Sequence, residues 1–171
     1  MKLTIPKGIR PTSSKVKEAI FSVLVSLGLD FEGIECLDFF AGSGALGFEA
    51  LVRGASTLTA VDSSFESCKA IKENAAKYKL EDKTKVIKSN ALKINLDKDF
   101  DLVFADPPYD LADPDVTELF KVVKKVLKPE GIFVFEFSSK RKINWQSSED
   151  SLELLSQKIY GDTVVYFFRS S

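Results

Sequence analysis

Asp38-Phe39-Phe40-Ala41-Gly42-Ser43-Gly44-Ala45-Leu46-Gly47 decides how this chain folds. An apolar run, residues 34–37, leads into it and reads as a buried strand. Phe48-Glu49-Ala50-Leu51-Val52 follows and reads as a helix. Between them, Gly42 and Gly44 let the backbone turn tightly and approach a ligand with no Cβ in the way. The free N–H groups of the first helical turn point at the same spot. Glycines at this spacing are shared by many nucleotide-binding folds. Asp38, at the strand end, narrows the choice. Its carboxylate would repel a diphosphate and would welcome a ligand that carries an ammonium group.

Outward from this stretch, strand and helix alternate. Gly54 caps the first helix at its C-terminus. Residues 57–61 read as a second strand, ending at Asp62. Ser63 and Glu66 have capping-box spacing for the next helix, which puts Phe65, Cys68, Ile71, Ala75 and Tyr78 on one face. Residues 85–88 and 100–105 read as third and fourth strands. Asp113-Pro114 opens a helix that buries Val116, Leu119, Phe120, Val123 and Leu127 and is stopped by Pro129 and Gly131. Residues 132–137 are a fifth strand. Residues 152–158 and 163–168, split by Gly161-Asp162, form a closing antiparallel hairpin. Ahead of the glycine-rich turn, Thr12 or a following serine caps a helix with Val16, Ile20, Val23, Leu24 and Leu27 on one face. The pattern predicts one α/β domain over residues 1–171, with a mostly parallel sheet and helices on both faces. Ligands of such sheets bind beyond the carboxyl ends of the strands.

Composition bounds the function. The 171 residues, 44% of them apolar, suffice for one domain with a sizeable core. No apolar run reaches membrane-spanning length and no secretory leader is visible, so a cytoplasmic chain with no membrane partner is expected. Cys36 and Cys68 lack metal-ligand spacing and suit core packing in a reducing compartment. The absence of histidine excludes histidine triads, zinc–histidine sites and a histidine general base, and no metal is expected. A net charge of −1 confines any nucleic-acid binding to local patches. One is the N-terminal segment, residues 1–14 and just beyond. It carries Lys2, Lys7, Arg10, Lys15 and Lys17 with no acid before Glu18, and Pro6, Gly8 and Pro11 keep it out of a helix. It reads either as a solvated tail leading into a packing helix or as an RNA-binding surface. Lys140-Arg141-Lys142 is a second basic cluster.

Candidate site residues gather at the strand ends. Asp62 can take both hydroxyls of a ribose, or it can cap a helix. Asn90, beside Ala91, can hold an adenine edge or simply make a turn. Asp106-Pro107-Pro108-Tyr109 is the most specific motif. Two prolines stiffen the backbone and leave Pro107 a carbonyl with no donor. Asp106 adds a carboxylate, and Tyr109 adds a flat face on which a base can stack, worth ~1–3 kcal/mol. This acceptor-rich end suits the exocyclic amine of a nucleobase. Gripping its N–H bonds favours a tetrahedral nitrogen with a free lone pair. The same residues also make a rigid proline turn with an exposed tyrosine.

The run Asp38 to Gly47, followed by Asp106-Pro107-Pro108-Tyr109, resembles the amino-methylating class I methyltransferases that use S-adenosylmethionine. Arg10-Pro11-Thr12, then Lys15-Val16-Lys17-Glu18-Ala19-Ile20-Phe21, and the closing Tyr160-Gly161-Asp162-Thr163 narrow the resemblance to the RsmD family of bacterial 16S ribosomal RNA guanine-N2 methyltransferases. It covers nearly the whole chain. It implies a Rossmann-like class I methyltransferase fold with a mostly parallel seven-stranded sheet and a C-terminal antiparallel hairpin. It also implies S-adenosylmethionine as cofactor. Asp38, Phe40, Gly42, Ser43 and Gly44 would line its methionine end, Asp62 and Ser63 its ribose, and Asn90 and Ala91 its adenine. Asp106, Pro107, Pro108 and Tyr109 would hold the target guanine, and Lys7, Arg10, Lys15 and Lys17 the RNA. The implied partner is ribosomal RNA within a small-subunit assembly particle. Family members carry a basic, glycine-containing arm ahead of the pair matched by Lys2-Leu3, and this sequence starts after it. A weaker grip, a different contact surface or a partner would then hold the RNA.

Two other readings stay open on residues alone. An adenine-N6 methyltransferase acting on DNA or RNA shares the Asp-Pro-Pro-Tyr chemistry. A non-catalytic RNA-interaction module that binds S-adenosylmethionine would share the glycine-rich turn, although Asp38, Asp62 and Asp106 together argue for catalysis. A nicotinamide dehydrogenase would have no task for Asp-Pro-Pro-Tyr.

Overall fold

The computed structural model describes residues 1–143 and 152–171. The elements are α1 (Ser14–Ser26), β1 (Glu35–Phe39), α2 (Ala45–Val52), β2 (Thr57–Asp62), α3 (Phe65–Lys77), β3 (Thr84–Lys88), β4 (Phe100–Ala105), α4 (Asp113–Val126), β5 (Leu127–Ser138), β6 (Glu153–Tyr160) and β7 (Thr163–Arg169). The seven strands form one sheet in the order β3-β2-β1-β4-β5-β7-β6. The first five pair in parallel and β7 runs antiparallel between β5 and β6. This is the expected sheet with its closing hairpin. The order in which strands are added reverses between β1 and β4, which opens a crevice at their carboxyl ends.

Strand alternation divides the core in two. Cys36, Leu58, Leu102, Phe104, Ile132 and Val134 face α1, α2 and α3, while Leu37, Val103, Phe133, Phe135 and Phe168 face α4. Phe120 on α4 meets Phe133, Phe135 and Phe168 edge-on, with ring centroids 5.2–5.3 Å apart. Such T-shaped pairs match the positive ring edge to the negative face.

Several local details differ from the sequence reading. The helix after the glycine-rich turn starts at Ala45, with Gly44 as its N-cap, so Gly47 lies inside it. A Cβ on Gly47 would come within 2.4 Å of the Leu58 side chain, so glycine lets α2 lie close on β2. Ser13 caps α1 and accepts from Val16 N–H, and Phe21 joins Ile20 and Leu24 in the core. Ser64, not Ser63, caps α3, accepting from Ser67 N–H. The reason is Asp62, whose Oδ1 takes Ser64 N–H and holds Ser63 outside the helix. Phe65, in the first turn, is 64% exposed instead of buried. Val122 and Val126 complete the buried face of α4, and Leu127 already belongs to β5. Pro129 and Gly131 lie within β5, at a register shift against β4 between Phe100 and Leu102.

Candidate methyl-transfer site

Asp62, Asp38, Asp106 and Glu136 form a row across the carboxyl end of the sheet. Asp38 shares a face with Cys36, Asp62 with Leu58 and Ala60, and Glu136 with Ile132 and Val134, all packed on the α1–α3 side. Asp106 follows Leu102 and Phe104 at the same alternation. Ala105 pairs with Phe135, so the continued register sets Asp106 beside Glu136. The sequence reading named the first three and missed Glu136. Its signal was available: one carboxylate inside the apolar run of residues 132–137.

At the β1–β2 end, backbone donors organise the acids. Asp62 Oδ2 accepts from Gly42 N–H at 3.0 Å and Oδ1 from Ser64 N–H at 2.9 Å, which ties the glycine-rich loop to the start of α3. Asp38 is 3% exposed and accepts from Gly47 N–H at 3.3 Å. Burial pushes its carboxyl up to about 8; the Gly47 N–H opposes that shift and the charge of Asp62 adds to it. The loop needs its glycines. Gly42 and Gly44 have φ of 58° and 84°, and a Cβ on Gly44 would come within 2.6 Å of the Phe48 ring. Phe40 holds a left-handed backbone as well, at φ 55°, a conformation that costs a non-glycine residue energy. Ser43 is buried and Ser63 exposed. Asn90 Oδ1 accepts from Leu92 N–H, the turn that its residue type allows, next to buried Ala91.

The N-terminal segment is docked on the domain and is not a free tail. Lys2 exchanges backbone bonds with the Tyr78 hydroxyl, and Thr4 N–H donates to Asn74 Oδ1 at 2.7 Å. The Asn74 amide donates to both Thr4 O and Ser43 O at 3.0 Å. Fully buried Asn74 therefore joins this segment to the glycine-rich loop. Ile9 lies 3.2 Å from where a Gly42 Cβ would sit, which brings the segment over the loop. Lys7 and Lys15 are exposed, and Lys17 pairs with Glu49 at 3.9 Å. The charge of Arg10 acts on Asp106, Tyr109 and Glu136.

At the β4–β5 end the acids meet few donors. Burial lifts Asp106 well above the usual carboxylate range; Glu136 and Asp38 push it further, and Arg10 opposes them. Glu136 is 7% exposed and its Oε2 has no hydrogen-bond partner. Burial pushes it up to about 7 against the pull of Arg10. The loop beyond Asp106 is held from outside. The Tyr109 and Thr163 hydroxyls share a hydrogen bond, and the Tyr109 ring meets Phe137 edge-on at 6.1 Å. Arg141 donates to Tyr109 O at 2.8 Å and to Leu111 O, pairs with Asp113, and lies over the Phe137 ring at 4.7 Å. Its guanidinium is thus a loop clamp rather than the outward phosphate contact expected of a basic run. Lys140 pairs with Asp162 at 3.5 Å, both well exposed.

These residues fit S-adenosylmethionine. Asp38 has capacity left for an ammonium, the glycines keep the loop open, and each Asp62 oxygen has a lone pair left for a ribose hydroxyl. Among the described residues no helix is long and apolar enough to cross a membrane, and no cluster has metal-ligand character.

Comparison with known proteins identifies the family and the fold. The chain is 31% identical over 166 residues to a Haemophilus influenzae protein named ribosomal RNA small subunit methyltransferase D, covering 90% of this chain and 83% of that one. The Escherichia coli protein of the same name is 38% identical over 112 residues, 63% of this chain and 54% of that one. A solved Escherichia coli structure titled as a methyltransferase, yhhF, superposes with a TM-score of 0.82 at 26% identity, covering all of this chain and 92% of that one. The fold is the Rossmann-like class I methyltransferase fold. The family model described as conserved hypothetical protein 95 matches residues 1–169, and the chain belongs to that family, the RsmD family.

Proposed function

We propose that this chain methylates the exocyclic N2 amine of a guanine in small-subunit ribosomal RNA. The supporting observation is the row of Asp62, Asp38 and Asp106 on one sheet face, with the Asp-Pro-Pro-Tyr turn at its end. S-adenosylmethionine supplies a methyl carbon made electrophilic by a sulfonium sulfur. Asp38 would hold its ammonium, Asp62 with Ser63 its ribose, Asn90 and Ala91 its adenine, and Phe40, Gly42, Ser43 and Gly44 its methionine end. Asp106 and the Pro107 carbonyl would accept the N–H bonds of the guanine amine and draw its lone pair out of conjugation with the ring. When bound, S-adenosylmethionine would supply that methyl carbon to the amine nitrogen, its sulfur keeping the electron pair of the broken carbon–sulfur bond. Ionised Asp106 would take the proton that nitrogen sheds; burial opposes that ionised form and the charge of Arg10 supports it. No covalent enzyme intermediate is required, and the protein contributes positioning and electrostatics.

RNA would be gripped by Lys7, Arg10, Lys15 and Lys17, within a small-subunit assembly particle in the cytoplasm. Such contacts release counterions, so affinity should fall as salt rises. The test maps modified nucleosides in ribosomal RNA from cells with and without the protein, and repeats the transfer with purified protein on particles from the deficient cells. One N2-methylguanine lost from the cells and restored by the protein is expected. A lost N6-methyladenine, or no difference, would overturn the assignment.

A further inference from the structure

We propose that Glu136 reads the guanine by accepting its N1–H beside the amine held at Asp106. This inference rests on the methyltransferase reading above. Three observations place Glu136 at the base. It follows Ile132 and Val134 on the face shared with Asp38 and Asp106. The β4–β5 register sets it next to Asp106. Its charge also acts on both Asp106 and Tyr109, so the three lie within electrostatic reach of one another.

The chemistry of Glu136 points to a ligand. It is 93% buried, taking its 7% exposure from the whole, and Oε2 has no partner. A buried carboxylate oxygen without a donor is costly, and native proteins retain few such atoms. With both ionised, a state that the charge of Arg10 favours, adjacent Asp106 and Glu136 offer acceptors only, so the pair calls for two neighbouring donors. Among bases with an exocyclic amine, guanine alone presents them, as N1–H beside N2–H₂. Adenine sets a bare N1 next to N6–H₂, and cytosine a bare N3 next to N4–H₂. Either would put a lone pair against Glu136. Asp-Pro-Pro-Tyr therefore grips an amine, and Glu136 selects which base carries it.

The test uses small-subunit particles reconstituted with ribosomal RNA that carries guanine or 2-aminopurine at the mapped position. 2-Aminopurine keeps the N2 amine but has a bare N1. The wild-type protein should favour guanine by roughly 100-fold or more in kcat/KM, because a site built around a hydrogen bond rejects the analogue that lacks it. Glu136→Gln places an amide there that can donate to a bare N1. It should lower kcat/KM on guanine roughly 10- to 100-fold and narrow the guanine preference, with S-adenosylmethionine affinity and melting temperature close to wild type. Equal use of the two bases by the wild type would overturn the role of Glu136, and so would an unchanged preference in the variant. In both cases guanine-N2 methylation by the wild type would still stand. Wild-type methylation of adenine, or of neither base, would instead overturn the function on which the inference rests.

Discussion

Asp62 and Glu136 stand at opposite ends of one carboxylate row and are built differently. Asp62 receives a backbone N–H on each oxygen, from Gly42 and Ser64. Glu136 is more deeply buried, and its Oε2 receives nothing. Asp62 thus has a structural task before any ligand arrives, since it joins the glycine-rich loop to α3. Glu136 and Asp106 have no comparable task and are poised for donors that come with a substrate. The β1–β2 half is pre-organised by its own backbone, and the β4–β5 half by its surroundings, through Thr163 on Tyr109 and Arg141 on the loop carbonyls.

The largest effect should come from the substrate half. Asp106→Ala removes the acceptor closest to the reacting nitrogen, and turnover should fall roughly 10²- to 10³-fold. Single-turnover transfer to small-subunit particles measures this, and a loss under tenfold would take Asp106 out of the chemical step.

Next is the outside support of Tyr109. The sequence alone gives it a stacking face and no use for its hydroxyl. In the structure that hydroxyl binds Thr163, so Tyr109→Phe frees the ring to shift. Tyr109→Ala should cost about 10²-fold in turnover through misplacement. Tyr109→Phe and Thr163→Val should each cost roughly tenfold, and the double variant no more than either alone, because both remove one shared bond. Additive losses would mean that the two hydroxyls act separately.

The smallest effect concerns stability. Burial lifts Asp38 from 3.8 to about 8, so the folded protein keeps a proton that the unfolded chain releases between those values. Its contribution is fully present below the unfolded value and is lost as pH rises through about 8. Asp62, whose charge acts on Asp38, and Asp106, on which Asp38 acts, remain in the variant. Asp38→Asn removes the titrating group. The variant's melting temperature relative to wild type should therefore climb as pH rises from about 5 to about 8.5, while its affinity for S-adenosylmethionine falls. A difference that is flat with pH would show that Asp38 is ionised in the empty protein.

What the sequence makes legible follows the same division. The glycine-rich turn and Asp106-Pro107-Pro108-Tyr109 are contiguous, so short-range chemistry identifies them. Asp62 is readable as a strand end. The cap at Ser64 is not, because it depends on which N–H the Asp62 side chain takes. Glu136 reaches Asp106 only through strand pairing, which no local pattern encodes. Arg141 looks like one more surface cation until its carbonyl partners and Phe137 surround it in space. The basic N-terminal segment likewise reads as free chain, because Asn74 and Tyr78, which fix it, lie far along the sequence.

The division of the row is tested most directly by calorimetry of S-adenosylmethionine binding to Asp62→Ala and Asp106→Ala side by side. Asp62→Ala should weaken binding by ~1–3 kcal/mol, the cost of leaving ribose hydroxyls unpaired. Asp106→Ala should bind within about twofold of wild type, since its acceptors serve the base. Equal losses in both variants, or a loss confined to Asp106→Ala, would contradict the division between a cofactor half and a substrate half.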